Sequence, residues 1–142
     1  MSRSLFSSLA VLALLAVCGA GRAGEPRLVL GDVESVAAHA DAAWVREAAR
    51  EEIAATEAHA PAGARVVLSV AVLSADTAHT PQGTSSSCEV SFAVRDAKKG
   101  TLLATLRGRA QADGAPARAP HLERAAARQA LQSALAMLPQ AL

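Results

Sequence analysis

Residues 88–96 of this 142-residue chain, CEVSFAVRD, constrain the fold more than any other stretch. Cys88, Val90, Phe92 and Val94 alternate with Glu89, Ser91, Ala93 and Arg95, the period of a strand buried on one face only. The next residues, AKKGT, carry a glycine where a hairpin turn needs a left-handed residue. A type I turn over Lys98 and Lys99 with Gly100 in that position makes a three-residue loop that sets Ala97 opposite Thr101. Counting back along LLATLRGRAQA, residues 102–112, pairs Val94 with Ala104, Phe92 with Leu106, Val90 with Gly108 and Cys88 with Ala110. A slip of one residue would mix apolar and polar faces, so this register is the one to expect. On the opposite face it places Ser91 against Arg107 and Glu89 against Arg109, with a cross-strand ion pair expected between the last two.

The remaining elements follow from local patterning. Leu28, Val29 and Leu30 read as a short strand, with Gly31 and Asp32 marking its end or a bulge. Asp41 is placed to cap a helix, Ser35 being an earlier candidate start. Val45, Ala48, Ala49, Glu52, Ile53 and Thr56 recur at helical spacing and should face inward; Arg46, Glu47, Arg50 and Glu51 lie largely opposite, with an i,i+3 pair between Glu47 and Arg50. Pro61 and Gly63 stop this helix. Residues 65–77 are nearly continuous in aliphatics, as in a central strand, and residues 78–87, with TPQGTSSS, read as a polar loop. After a second loop, DGAPARAP at 113–120, a final helix begins near Pro120 and is closed by Pro139, with Leu122, Ala126 or Ala127, Ala130, Leu131, Ala134, Leu135 and Leu138 on its apolar side. The order β-α-β-β-β-α predicts an α+β fold, a two-layer sandwich with a four-stranded, mostly antiparallel sheet and two helices on one face. That covered face bears Val90, Phe92, Leu102 and Leu106.

The amino end has a different character. Arg3 precedes an apolar run from Leu5 to Val17, and small residues continue to Gly24. This is the layout of a secretory signal peptide. The apolar run falls short of the roughly 20 residues that cross a bilayer as a helix, so no transmembrane segment is expected. LAVC, residues 15–18, resembles the lipobox of bacterial lipoproteins, in which the cysteine becomes the acylated first residue. Val17 departs from the Gly or Ala that this motif prefers. Cleavage near Ala23 is therefore favoured, giving a signal peptide over 1–23 and a single domain over 24–142, with lipidation at Cys18 as the alternative.

Without Arg3 and Arg22 the chain keeps 12 of its 14 Lys and Arg against 13 Asp and Glu, a net charge of −1. That total steers it toward neither nucleic acid nor an anionic surface. Only Trp44 and Phe92 remain as aromatics, too few for the stacking platforms of carbohydrate or single-strand binding. Loss or acylation of Cys18 leaves Cys88 as the sole free thiol, with no internal disulfide to form.

Few residues could carry catalysis. Cys88 falls on the inward face, where a free cysteine is usually inert packing. His39, His59, His79 and His121 fall on helix ends or loops in no ligand or triad spacing. Ser85, Ser86 and Ser87 lack a nucleophile elbow, and KKG precedes no helix that could cradle phosphate. No catalytic, cofactor or metal residue is assigned. The uncovered sheet face is instead the candidate site: Arg95, Leu103, Arg107 and Arg109, beside Val67 and Leu73, form a mixed apolar and cationic surface for a partner protein or an anionic envelope glycan. Strand addition at a free sheet edge is a second route.

The leader, the element order and the hairpin VRDAKKGTLLATLRG together resemble small bacterial envelope domains, notably the LPS-assembly lipoprotein and the periplasmic domains of curli-secretion lipoproteins. That resemblance implies envelope assembly or scaffolding. The expectation is a secreted or periplasmic, non-enzymatic interaction or assembly domain. A lipid-anchored envelope accessory is the alternative, with a small hydrolase behind it.

Overall fold

The computed structural model describes residues 27–37, 40–60, 63 and 65–142; the leader, its cleavage point, Cys18, His39 and Pro61 lie outside them. The order is β1 (Leu28–Ser35), α1 (Ala42–Glu57), β2 (Val66–Thr80), β3 (Gly83–Asp96), β4 (Leu102–Gly114), a 3-10 turn (Pro116–Arg118), α2 (Ala119–Leu135) and the short α3 (Leu138–Ala141). The strands lie in the order β1-β2-β3-β4, with β1 parallel to β2 and the other pairs antiparallel. This is the α+β fold expected. The parallel pair requires a crossover, and α1 supplies it.

Each helix takes the position its sequence dictates. Asp41 Oδ1 accepts from the N–H groups of Ala43 at 3.0 Å and Trp44 at 3.4 Å, satisfying donors the first turn leaves free. Val45, Ala48, Ala49 and Ile53 are buried, and Arg50 pairs with Glu47 at 2.8 Å. In α2 the buried side chains are Ala126, Ala127, Ala130, Leu131, Ala134 and Leu135. Alanines along this side let the helix lie almost on the sheet at Gly108. Arg128 ties the two helices, reaching Glu51 at 2.9 Å and Glu52 at 3.2 Å.

The core is the inner sheet face beneath these helices: Val66, Leu68, Val70 and Val72 of β2, Cys88, Val90, Phe92 and Val94 of β3, and Leu106 of β4. Two bulges keep the alternation in phase. In β1, Gly31 and Asp32 together oppose the single residue Ser69, so Val33 turns inward against Val70 and the strand continues to Ser35 instead of ending at Gly31. Ser35 therefore closes the strand and starts no helix. In β2, Leu73 is the extra residue between Val72, paired with Val90, and Ser74, paired with Glu89.

Several loops expected from composition are strand. Residues 78–80 and 83–87 extend β2 and β3 into a tight hairpin around Pro81 and Gln82, with Gly83 at φ 151°. Polar side chains can occupy the inner face there because they satisfy one another: Ser86 meets Thr77 at 3.0 Å and Thr84 meets His79 Nδ1 at 2.8 Å. His79 is thus a strand residue, not a loop one. Residues 113 and 114 belong to β4. The final helix breaks at Ala136, before Pro139, and Pro139 instead starts α3, whose Leu138 is buried.

The β3–β4 register agrees with the expectation from Ala104 onward: Val94 opposes Ala104, Phe92 Leu106, Val90 Gly108, Cys88 Ala110, Ser91 Arg107 and Glu89 Arg109. The turn differs. Asp96, not Ala97, faces Thr101, donating its N–H to the Thr101 carbonyl at 2.9 Å, so the loop has four residues. Asp96 Oδ1 accepts from Lys98 N and Lys99 N at 2.9 and 2.7 Å, and Gly100 takes φ 68°. The extra loop residue is absorbed by a bulge at Leu103, which shifts Leu102 opposite Arg95. Leu102 accordingly leaves the core face and is 49% exposed.

Candidate functional site

All described helices cover the inner face, and the outer face is left open. Its cross-strand rows follow from the register. Val29, Val67, Arg95 and Leu102 form one row, Glu34, Ala71, Ser91 and Arg107 another, and Ser74, Glu89 and Arg109 a third. The centre is paved with small side chains, Ser69, Ala71, Ser91 and Ala93, so the face is shallow. Gly31 keeps its β1 side flat, since a Cβ there would fall 2.6 Å from Ser69 Oγ and 2.8 Å from Val67 Cγ1 and would push these side chains aside.

The four residues assigned from sequence all lie on or beside this face and are exposed: Arg95 on β3, Leu103 at the β4 bulge, Arg107 and Arg109 farther along β4. Arg95 Nη1 donates to the Gly100 carbonyl at 3.2 Å, which holds it toward the turn. Glu89 and Arg109 are opposite neighbours, but no ion pair joins them among the described residues; Arg109 is exposed and Glu89 half-buried, and a contact at such a surface position gains little over hydration. Arg107 and Arg109 therefore point out as two cations on one strand edge.

A second feature was not legible in the sequence. Between the amino ends of α1 and α2 lies a cleft of about 430 Å³ over the inner sheet face, walled by Trp44, Val45, Glu123 and Arg124 and floored by Val72, Ala75 and Cys88. The Arg124 guanidinium sits 5.8 Å from the Trp44 ring centroid, a cation–π pair across the mouth. Glu123 accepts from Thr77 Oγ1 at 2.9 Å. Cys88 is 3% exposed, and burial pushes its thiol up to about 11, so it is protonated at neutral pH. No histidine is among the described residues lining the cleft, and no group of three or more His, Cys, Asp or Glu suited to a metal occurs among the described residues. What the described walls can offer a ligand is an aromatic face, a guanidinium and carboxylates.

At the other end of α1, Glu57 accepts from the N–H groups of Arg27 and Leu28, both at 2.8 Å, and meets Arg27 Nε at 3.5 Å. Partial burial works to raise its pKa, but the two backbone donors and the guanidinium outweigh it and hold the carboxyl below its ordinary value. The contact pins the start of β1 to the end of α1. No described helix is long and apolar enough to cross a membrane.

Neither a family model nor a curated protein matches this chain. Solved structures do resemble it. PelC from Paraburkholderia phytofirmans, a dodecamer in two crystal forms, matches with TM-scores of 0.55 and 0.49 at 17% and 16% identity, covering 80% and 81% of this chain and 85% and 86% of the PelC chains. A lipoprotein from Neisseria meningitidis matches with a TM-score of 0.45 at 12% identity, over 72% of this chain and 95% of that one. At these identities the likeness to PelC is one of fold. The LPS-assembly and curli-secretion families are not confirmed by these likenesses.

Proposed function

We propose that this chain is an exported, non-catalytic accessory of the bacterial cell envelope that docks an envelope protein through its open sheet face. The observation that carries this reading is the face itself, a shallow floor of Ser and Ala flanked along β4 by the exposed Arg107 and Arg109. Small central side chains let a partner's backbone come close, and rim cations orient it. The buried, protonated thiol of Cys88 supports a role without covalent chemistry. The fold shared with PelC, which assembles as a dodecamer, supports an assembly role for this architecture.

Affinity capture from an envelope extract tests the reading. The Arg107→Glu, Arg109→Glu variant should lose a partner that the native protein retains at moderate salt. Equal recovery by both proteins would remove the face from consideration. Mass spectrometry of the mature amino terminus decides the form of export. Cleavage near Ala23 is expected, and an acylated Cys18 would replace it with the anchored form.

A further inference from the structure

The near-neutral total charge conceals an uneven distribution. Lys98 and Lys99 form the tip of the β3–β4 turn, Arg95 stands beside them, and Leu102 and Leu103 follow at once, 49% and 47% exposed. Asp96, the acid within this group, is turned back onto the N–H groups of Lys98 and Lys99. We propose that this turn end of the sheet seats on an anionic phospholipid bilayer, the two lysines meeting headgroups and the two leucines entering the interface.

Three observations lead there. A pair of adjacent exposed leucines beside a pair of lysines is the chemistry of an interfacial contact, because apolar burial and attraction to anionic headgroups act at one depth. The leucines are outside because of the Leu103 bulge; with the regular pairing Leu102 would have joined the core face, so the bulge re-aims it. Finally, the described chain begins at this same end: Leu28 pairs with Val66, and Val66 with Asp96. Twenty-six residues precede Arg27, among them the apolar run from Leu5 to Val17. From Cys18 to Arg27 the chain spans at most about 30 Å, so an acylated Cys18 would bring this end to the bilayer before the Pro81 end. A chain cut at Ala23 would arrive through the lysines and leucines alone.

The proposal rests on the envelope placement above but not on Arg107 or Arg109, so the two can fail separately. The buried Cys88 thiol allows one added cysteine to be labelled in the exported, processed protein, in which Cys18 is removed or acylated. An environment-sensitive fluorophore at Leu103→Cys should shift to the blue with phosphatidylglycerol vesicles and not with phosphatidylcholine vesicles. The same label at Gln111→Cys, roughly 25 Å along β4, should stay in water. Lys98→Glu with Lys99→Glu should weaken the response about 30-fold or more, from the contribution of two basic residues near an anionic surface. No shift at position 103, an equal shift at 111, a shift indifferent to the lysine changes, or the same shift with polygalacturonate in place of vesicles would each overturn it.

Discussion

Gly108 offers the most demanding test of the packing described above. It lies on the inner face of β4 opposite Val90, under α2. A Cβ at this position would overlap the Ala130 carbonyl oxygen and lie 2.7 Å from Ala134 N and 3.0 Å from the Ala130 carbonyl carbon. Every obstacle is main chain of a helix held on the sheet and against α1, so no rotamer change relieves the clash and α2 must lift. Overpacking of this kind costs about 1–3 kcal/mol, and rigid neighbours place it at the upper end. The lower chain entropy of alanine in the unfolded state returns about 0.5 kcal/mol. A net loss of ~2.5 kcal/mol remains for Gly108→Ala. A unit of roughly 110 residues with about 2.1 cal/mol/K per residue at its midpoint then melts ~10 °C lower. Gly100→Ala provides the comparison, since nothing lies within 4 Å of its added Cβ and only the φ of 68° opposes it; it should lose ~1 kcal/mol, about 4 °C. Paired thermal and urea unfolding would measure both. Adding Ala130→Gly should not rescue Gly108→Ala, because the obstacle is backbone. A Gly108→Ala protein melting within 2 °C of native, or one rescued by that second change, would refute the close approach.

Two further outcomes follow. With its pKa raised from 9.0 to about 11, Cys88 should react with a disulfide reagent at pH 8 on the order of a hundredfold more slowly in the folded protein than in urea; equal rates would contradict its burial. Glu57→Gln should cost about 1 kcal/mol at pH 7, since it leaves one backbone donor without its partner. The folded-state pKa of Glu57 lies below the unfolded value, so this contribution is complete above the unfolded pKa and disappears as pH falls through the folded one; unfolding curves of both proteins from pH 7 to pH 3 should converge, and a constant difference would contradict it.

The parts of the fold legible in the sequence are those in which one pattern excludes its alternatives. Strict alternation through residues 88–94 allowed one register against residues 104–110, and that register is present. The same reasoning failed at the turn because Leu102 and Leu103 are both apolar, so neither register announces which one leaves the core. The Thr77–Ser87 region was unreadable for another reason. Its inner positions, Thr84 and Ser86, are polar residues satisfied by Thr77 and His79, a tertiary arrangement that mimics the composition of a loop. Gly108 gave only a weak local sign, since a strand glycine signals close approach without saying by what. The cleft depends on Trp44 and Arg124 meeting from two helices far apart in sequence. The open face was accessible from sequence because placing both helices on one side of the sheet fixes what the other side displays.

The parallel pairing of β1 has a consequence for the chain in the making. A nascent polypeptide emerges amino end first, and the sheet neighbour of Leu28 is Val66, thirty-eight residues behind it. β2, β3 and β4 each find their mate across a short turn, but β1 must wait with Leu28, Leu30 and Val33 unsheltered. Asp32 and Glu34, both exposed in the finished fold, interrupt that stretch with charge and discourage two young chains from zipping together before the helix has brought β2 alongside.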